Sequence, residues 1–500
     1  MPRRSAVVDL GSNSVRLVVF EGVSRNPLPI FNEKAVLRLG RGLTKTGCLN
    51  EEGVAMAKGV MRRFYSIVQA MNADPFEILA TAAVREASNG LAFIESLQEF
   101  MPGVSIRVLS GKEEADYSAI GVLCGIPNAQ GVVADVGGGS LELIHLAENG
   151  QRREATTLPL GILRLSDRAE GNLEKAGRLA AQDIKSVSWL SRGKADGLSE
   201  IRGETLYLVG GAFRALAKLQ MARTQYPLNI VHYYTLSRQE ACDMVEWICR
   251  YEHRGLECFT NISRRRMKDV PFAAVVLQRL IQQIQPDRVV FCVDGLREGW
   301  YMLRVAPSDC LHDDPTEVVA QEMCARLGRS TTLPLALRKW TDSLIRGENE
   351  CQNHLRRLAC LLSDIGSHEH PEYRAEQTYW RILRLQGAGF DHTARTWLAL
   401  VLAIRYAAEK EASFLNTSRA LLTPEQWQNA VVLGVALRLA YFLSGGSDVL
   451  LEGTFLRWEG EELVLGLTSD RVIVNSKGVR RRLEQLGEVL GVVTRFAVYS

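Results

Sequence analysis

The chain lacks most of the features that would tie it to a membrane, an oxidising compartment or a nucleic acid. Its ten cysteines include no CxxC pair and no metal-ligand spacing. That excludes a disulfide framework and a zinc ribbon, and the thiols read as reduced, as in a cytoplasmic protein. Charge of one sign is also missing, because 60 Lys and Arg against 57 Asp and Glu leave only +3. A nucleic-acid-binding surface needs a stronger basic footprint, so no nucleic-acid partner is expected. No apolar run is long enough for a bilayer. Val431–Leu443 is the most apolar of the later stretches, and Arg438 interrupts it; it reads as a buried helix. Near the start, Asp9 breaks the apolar run, so no signal peptide is expected. Low-complexity segments and flexible linkers are absent as well. What remains is an ordinary globular composition, 46% hydrophobic and 23% charged over 500 residues, enough for two to four domains.

The most informative stretch is Gly131–Leu146, GVVADVGGGSLELIHL. Its first part is apolar and β-branched and predicts a strand buried on both faces. The strand ends on Asp135, three glycines (Gly137, Gly138 and Gly139) and Ser140 follow, and a second strand runs over Leu141–Leu146. Glycines turn sharply and admit close approach, and their N–H groups favour an anion. An Asp beside bare N–H groups suits phosphate plus a divalent cation. The same residues also fit a plain glycine hairpin with a capping Asp.

The plan recurs. Ser5–Phe20, SAVVDLGSNSVRLVVF, has a strand, Asp9, Gly11, the polar turn Ser12, Asn13 and Ser14, and another strand. Asp135 lies 126 positions after Asp9, and the two similar units indicate an internal duplication. A third glycine turn, Gly210–Gly211 in LYLVGGAFRAL, leads from a strand into a helix and puts a helix N-terminus beside the site.

The intervening chain alternates strands and helices. A strand is expected over Lys34–Leu43, a helix over Glu51–Met71 capped by Asn50, and strands over Phe76–Ala82 and Val104–Leu109. Arg85 sits just beyond a strand end, where open α/β sheets place their ligands. Glu113 and Glu114 open the next helix. There acidic residues favour the helix dipole, which accounts for one of them. The other is free to project into the cleft and take a proton from an attacking water, since a carboxylate cannot help bind phosphate. Later expectations are a strand at Arg153–Pro159, helices at Leu173–Leu190, Ser237–Tyr251 and Val270–Gln283, a strand at Asp287–Val293 and a helix at Gly295–Arg304. The basic run Arg264–Arg266 reads as a solvated loop. Near Pro307–Pro315 strands give way to six helical patterns, and from Asp448 a small α+β tail is expected.

Five ordered motifs, residues 9–14, 80–89, 110–115, 135–142 and 209–215, resemble the exopolyphosphatase / guanosine pentaphosphate phosphohydrolase (Ppx/GppA) family. The chain is closest to its longer members, which carry a helical domain. The resemblance implies an α/β fold of duplicated ribonuclease H-like domains, of the actin, sugar-kinase and Hsp70 type. Its expected parts are residues 1–128 and 129–305, an all-α degenerate HD-like domain at 306–446, and a tail at 447–500. It also implies phosphoanhydride hydrolysis: Glu114 as general base, and Asp135, Glu142 and Asp9 at a Mg²⁺ ion that Mn²⁺ can replace. Phosphates would lie on Gly11–Ser14, Gly137–Ser140, Gly210, Gly211, Arg85 and Arg214. The implied substrate is inorganic polyphosphate, with pppGpp as a second one giving ppGpp, in a cytoplasmic homodimer.

There are departures from the family pattern. Ala212 stands where many relatives have threonine, Leu141 replaces another threonine, and Ser363 stands where a metal-binding histidine would precede Asp364. No second catalytic site is therefore expected, and His368, His370 and His392 read as surface or structural. Two uses fit the helical domain, a dimer interface and a basic path for a long chain, with Arg356, Arg357, Arg381, Arg384 and Arg480–Arg482 as candidates for the path. The rival readings are an ATP-dependent kinase or ATPase of the same superfamily and a non-enzymatic polyphosphate or nucleotide sensor.

Overall fold

The structure is a computed structural model that describes residues 3–191, 201, 203–250, 267–345, 347–386, 389–468 and 476–499. The basic run Arg264–Arg266 lies outside the described residues. The chain forms two compact units, Met1–Pro315 and Thr316–Ser500.

The first unit contains two sheets built on one plan. Strands β1 (Arg4–Leu10), β2 (Ser14–Glu21), β3 (Leu28–Val36), β4 (Phe76–Ala80) and β5 (Ser105–Val108) lie in the order β3-β2-β1-β4-β5. The second set is β6 (Gly131–Val136), β7 (Leu141–Leu146), β8 (Arg152–Leu158), β9 (Thr205–Val209), β10 (Tyr234–Ser237) and β11 (Arg288–Phe291). Its order is β8-β7-β6-β9-β11-β10, the same sequence with one added edge strand. In both sheets the first three strands are antiparallel, and the first strand then pairs in parallel with a later one. The duplication read from two hairpins therefore extends to the whole sheet. Strand β7 is buried along its whole length, Glu142 and His145 included, whereas β3 and most of β8 alternate between exposed and partly buried residues, as strands with one solvated face do.

Helix Gly111–Gly125 serves both halves. Tyr117, Ile120 and Cys124 pack with Val7, Val18, Phe20 and Trp300, while Ala115, Ala119 and Val122 pack with Val133, Ile144 and Leu146. Helix Leu296–Arg304 crosses it at glycines. A Cβ at Gly299 would lie 1.9 Å from the Tyr117 carbonyl oxygen, and one at Gly121 2.2 Å from that of Gly295. The helices thus touch backbone to backbone, closer than any side chain allows. Trp300 and Arg304 both bond Glu77 of β4, at 2.9 Å and 2.7 Å.

Most expected elements form within a few residues of the expected bounds. The helix capped by Asn50 spans Glu51–Ala70, with Asn50 accepting from the Gly53 N–H. The strand expected over Lys34–Leu43 is a correction, because β3 runs over Leu28–Val36 instead. Residues 37–40 turn back onto the first hairpin, where the N–H groups of Leu37 and Arg38 bond the Asn13 carbonyl and that of Gly40 bonds Ser12. Their apolar side chains, Leu37 and Leu39, are core residues without being a strand.

The second unit is helical, with helices that include His392–Arg405 and Pro424–Ser444. It closes with a three-stranded sheet of β12 (Thr454–Glu459), β13 (Glu462–Thr468) and β14 (Thr494–Tyr499), of which β12 was not expected. Helix Lys477–Leu490 joins the parallel pair β13 and β14. As expected, Val431–Leu443 lies within a buried helix, and among the described residues no helix is long and apolar enough to cross a membrane.

Arg356 is not on a surface path. It is 2% exposed and binds Glu348, Asp342, Thr341 and the Arg338 carbonyl. Arg357 is paired with Glu317 and Arg381 with Glu369, and Arg384 lies over the Trp380 ring. Arg356→Ala is expected to destabilise this unit by about 3–5 kcal/mol, the cost of breaking a buried ion pair. Denaturant unfolding monitored by tryptophan fluorescence measures it, and a loss below 1 kcal/mol would show that the network contributes little.

Candidate active site

The functional turns converge on one cleft in the first unit, with a cavity of about 230 Å³. Its lining includes Asp9, Gly11–Ser14, Glu114, Asp135, Gly137–Ser140, Glu142, Gly210, Gly211 and Arg214. Every expected site residue except Arg85 lines the cleft itself, and Arg85 reaches it through Glu114.

The two hairpin turns abut. A Cβ at Gly139 would lie 2.7 Å from the Ser12 Oγ and 3.2 Å from the Ala82 Cβ, so a larger residue would have to displace its neighbours. The carbonyls of Gly137 and Gly138 accept from Ile162, Leu163 and Arg164 at the start of helix Ile162–Arg168. The N–H groups of Gly138 and Gly139 bond no described residue and border the cleft. The third turn adds the first amides of helix Gly211–Arg223, which have no partner within the helix. Gly210 holds φ +103°, and a Cβ there would meet the Val136 carbonyl at 2.4 Å. These amides and the Gly11–Ser14 turn border one volume on three sides and suit an anion.

Glu113 and Glu114 separate as expected. Glu113 is spent on structure, in a capping box with Ser110 and an ion pair with Arg107 at 2.8 Å. Glu114 is 6% exposed and lines the cleft. Burial pushes its carboxyl up to about 7, against a hydrogen bond and ion pair from Arg85 and with a push from Asp9 and Asp135. Arg85 is itself positioned by the Leu109 carbonyl.

The remaining carboxylates are stressed in the same sense. Burial raises Asp9, opposed by Arg297 and Arg16. Burial also raises Asp135, opposed first by a hydrogen bond from Ser118. Glu142 is held well above the usual carboxylate range by burial and then by the charges of Glu114 and Asp135. One of its oxygens is buried and bonds no described residue. The four carboxylates line one cleft, Asp135 and Glu142 are partners in the β6–β7 register, and hard oxygens with one left orphaned suit a divalent cation. Asp135 and Glu142 would hold it, with Asp9 close by.

Arg16, Arg297 and Lys34 also border the cleft but were not expected there. Arg16 pairs with Asp9 in the β1–β2 register as Glu142 pairs with Asp135 in β6–β7. The offset of 126 that relates the two aspartates relates Arg16 to Glu142, so the duplication itself carried the signal. Burial, Arg297 and Arg214 lower the Arg16 guanidinium to about 10. Arg214 donates to the Val293 carbonyl at 2.9 Å. Ala212 places only a methyl group at the third turn.

Residues 18–306 match the model of the Ppx/GppA phosphatase family. The chain belongs to that family. Residues 318–497 match a second family, described as exopolyphosphatase, C-terminal. Exopolyphosphatase 2 of Mycobacterium tuberculosis is 28% identical over 264 residues, 49% of this chain and 79% of that protein. Among solved structures, an exopolyphosphatase from Cytophaga hutchinsonii superposes with a TM-score of 0.54 at 22% identity, over 61% of this chain and all of that one. A Ppx/GppA family member from Aquifex aeolicus gives 0.50 at 22%, over 60% of this chain and 96% of that one. The fold is accordingly the duplicated actin-like α/β arrangement, and membership places the chain among phosphatases.

Proposed function

We propose that this protein is an exopolyphosphatase that hydrolyses the terminal phosphate of inorganic polyphosphate. The observation that carries the reading is Glu114, a buried carboxylate facing three anion-binding turns in a Ppx/GppA phosphatase. A pure binding site has no use for an acid beside phosphates, which counts against a sensor. The terminal phosphate would sit on the Gly137–Ser140 and Gly11–Ser14 amides, which stabilise charge as it develops. Arg85 and Arg214 would hold the adjoining phosphates. Glu114 would take the proton from a water as its oxygen bonds to the terminal phosphorus. The bridging P–O bond then breaks, and the shortened chain leaves with the bond pair on its oxygen. A bound Mg²⁺ or Mn²⁺ would offset phosphate charge at Asp135 and Glu142. We further propose pppGpp as a second substrate of the same cleft.

A phosphate-release assay with polyphosphate, pppGpp and ATP tests the reading. Release from polyphosphate is expected to exceed release from ATP, and ATP preference would favour the kinase or ATPase alternative. The catalytic turns all precede residue 220, so a chain ending at Pro315 is expected to keep cleaving short polyphosphate. It should lose affinity and processivity on long chains and sediment as a smaller assembly. Unchanged long-chain kinetics would show that the second unit does not hold substrate, and an unchanged assembly mass would show that it does not make the dimer.

A further inference from the structure

A cluster of metal-ligating side chains lies in the first unit, outside the cleft but beside the chain segment that walls it. His232, Cys292 and Asp294 each bring one ligand atom to within 4.8 Å of the others. No sequence spacing reports the cluster, because His232 and Cys292 are 60 positions apart. The sheet brings them together. His232 precedes β10, and Cys292 and Asp294 follow β11, its antiparallel partner. The Tyr233 N–H bonds the Phe291 carbonyl at 2.8 Å, which sets His232 alongside Cys292 and Val293. Gly125, the last residue of helix Gly111–Gly125, completes the surroundings. A Cβ there would lie 2.2 Å from the Asp294 Oδ2 and 2.7 Å from the His232 Cε1, so a side chain at this position would take the space these groups share.

The imidazole is held in one tautomer. Its Nε2 lies 3.1 Å from the Gly125 carbonyl, which can only accept, so Nε2 carries the proton. Nδ1 then presents a lone pair, which the Val293 N–H approaches at a long 3.4 Å. A backbone carbonyl on the far ring nitrogen is the usual support of a metal-binding histidine. From Nδ1 it is 3.9 Å to the Cys292 Sγ and 3.9 Å to the Asp294 Oδ2. The nitrogen–oxygen separation exceeds a hydrogen bond. It lies near the spacing of two ligands on one tetrahedral ion, about 3.3–3.7 Å for ordinary Zn²⁺ bond lengths. Cys292 is fully buried and His232 nearly so, whereas the Asp294 side chain is 22% exposed and gives an entry path.

We propose that His232, Cys292 and Asp294 bind a Zn²⁺ ion. A thiolate with an imidazole selects a borderline-soft ion over the hard Mg²⁺ proposed for the cleft carboxylates. On binding, the Cys292 thiol gives its proton to solvent and the sulfur bonds the ion. The ion would tie the end of β11 to the start of β10. The same stretch builds the cleft, since Arg214 donates to the Val293 carbonyl and Gly295 and Arg297 line the cavity. None of the three ligands takes part in the catalytic reading, and the proposal does not depend on it.

Cobalt absorption on the full chain tests it, because Co²⁺ takes zinc positions and reports its ligands. The protein is stripped with chelator, supplied with excess Mg²⁺ to occupy the cleft, and titrated with Co²⁺. A sulfur-to-cobalt charge-transfer band and the strong visible bands of a four-coordinate ion are expected, saturating at one ion per chain, and Zn²⁺ should erase both. C292A should lose the charge-transfer band, while C351A, at an exposed cysteine, should keep it. D294N should weaken Co²⁺ binding at least about tenfold, the cost of losing even an outer partner of such a site. At one equivalent, Zn²⁺ should raise the melting temperature of the parent protein and leave that of D294N unchanged. If C292A fails to fold, D294N decides. No charge-transfer band in the parent protein, a band retained by C292A, or equal Co²⁺ affinity in D294N and parent would each overturn the proposal.

Discussion

Glu114→Gln is expected to lower turnover by about 10²–10⁴-fold, the usual worth of a general base, with substrate binding retained. Glutamine keeps the shape and can still accept from Arg85, so what is lost is the ability to take a proton. Glu113→Gln should change turnover far less, because Glu113 serves the capping box and Arg107. Steady-state kinetics on both variants decide the matter, and an equal loss in both would defeat the assignment. The pH dependence follows from the same residue. A base whose carboxyl is pushed up to about 7 is protonated and idle below that value. Activity should therefore climb as pH rises through 7, and the climb should be absent from what remains in the glutamine variant.

Chelation should abolish phosphate release, and Mg²⁺ or Mn²⁺ should restore it. Glu142→Gln should cost at least about 10²-fold in activity, comparable with losing a transition-state contact, yet should not destabilise the metal-free protein. The reason lies in the sign of the pKa shifts. Asp9, Asp135 and Glu142 are all raised in the fold. Each stabilises the fold fully only below its unfolded value near 4, and that contribution is lost as pH rises through the folded value. The metal-free protein should thus lose stability on going from pH 4 towards neutrality, and the divalent ion should recover it. Thermal melts across that range with and without Mg²⁺ read this directly. Full activity after exhaustive chelation would remove the ion from the mechanism, and a drop in melting temperature for metal-free Glu142→Gln would make that carboxylate structural.

Much of the fold could be read from the chain because local signals agreed. Strands β1 and β6 announce themselves as β-branched runs followed by Asp and glycine, and the Asn50 cap marks a helix start. The failures share a physical cause. Leu37 and Leu39 look like part of a strand because they are apolar and alternate, but the amides of Leu37, Arg38 and Gly40 go to the Ser12–Asn13 turn, a long-range bond that no local pattern reports. The Arg356 network looks like surface charge, because a sequence shows neither burial nor the carboxylate that arrives from elsewhere. In the cleft, glycines and acids stood out as motifs. Arg16 and Arg297 did not, since a lone arginine on a strand or at a helix start carries no spacing signature. Only the comparison of one half with the other exposes Arg16.

That comparison has a further consequence. Two halves on one plan would by themselves frame a cleft with a twofold axis, in which a substrate could lie in either direction. The equivalent positions Arg16 and Glu142 carry opposite charges, so the repeat survives in the strand order and is broken in the chemistry. One wall attracts a polyanion while the other repels it unless a cation intervenes. A phosphate chain laid across such a cleft has a preferred head and tail. Reversing both charges together, R16E with E142R, would exchange the two walls without moving Glu114. On the proposed reading, one reaction centre would thus sit on a scaffold that repeats its plan twice.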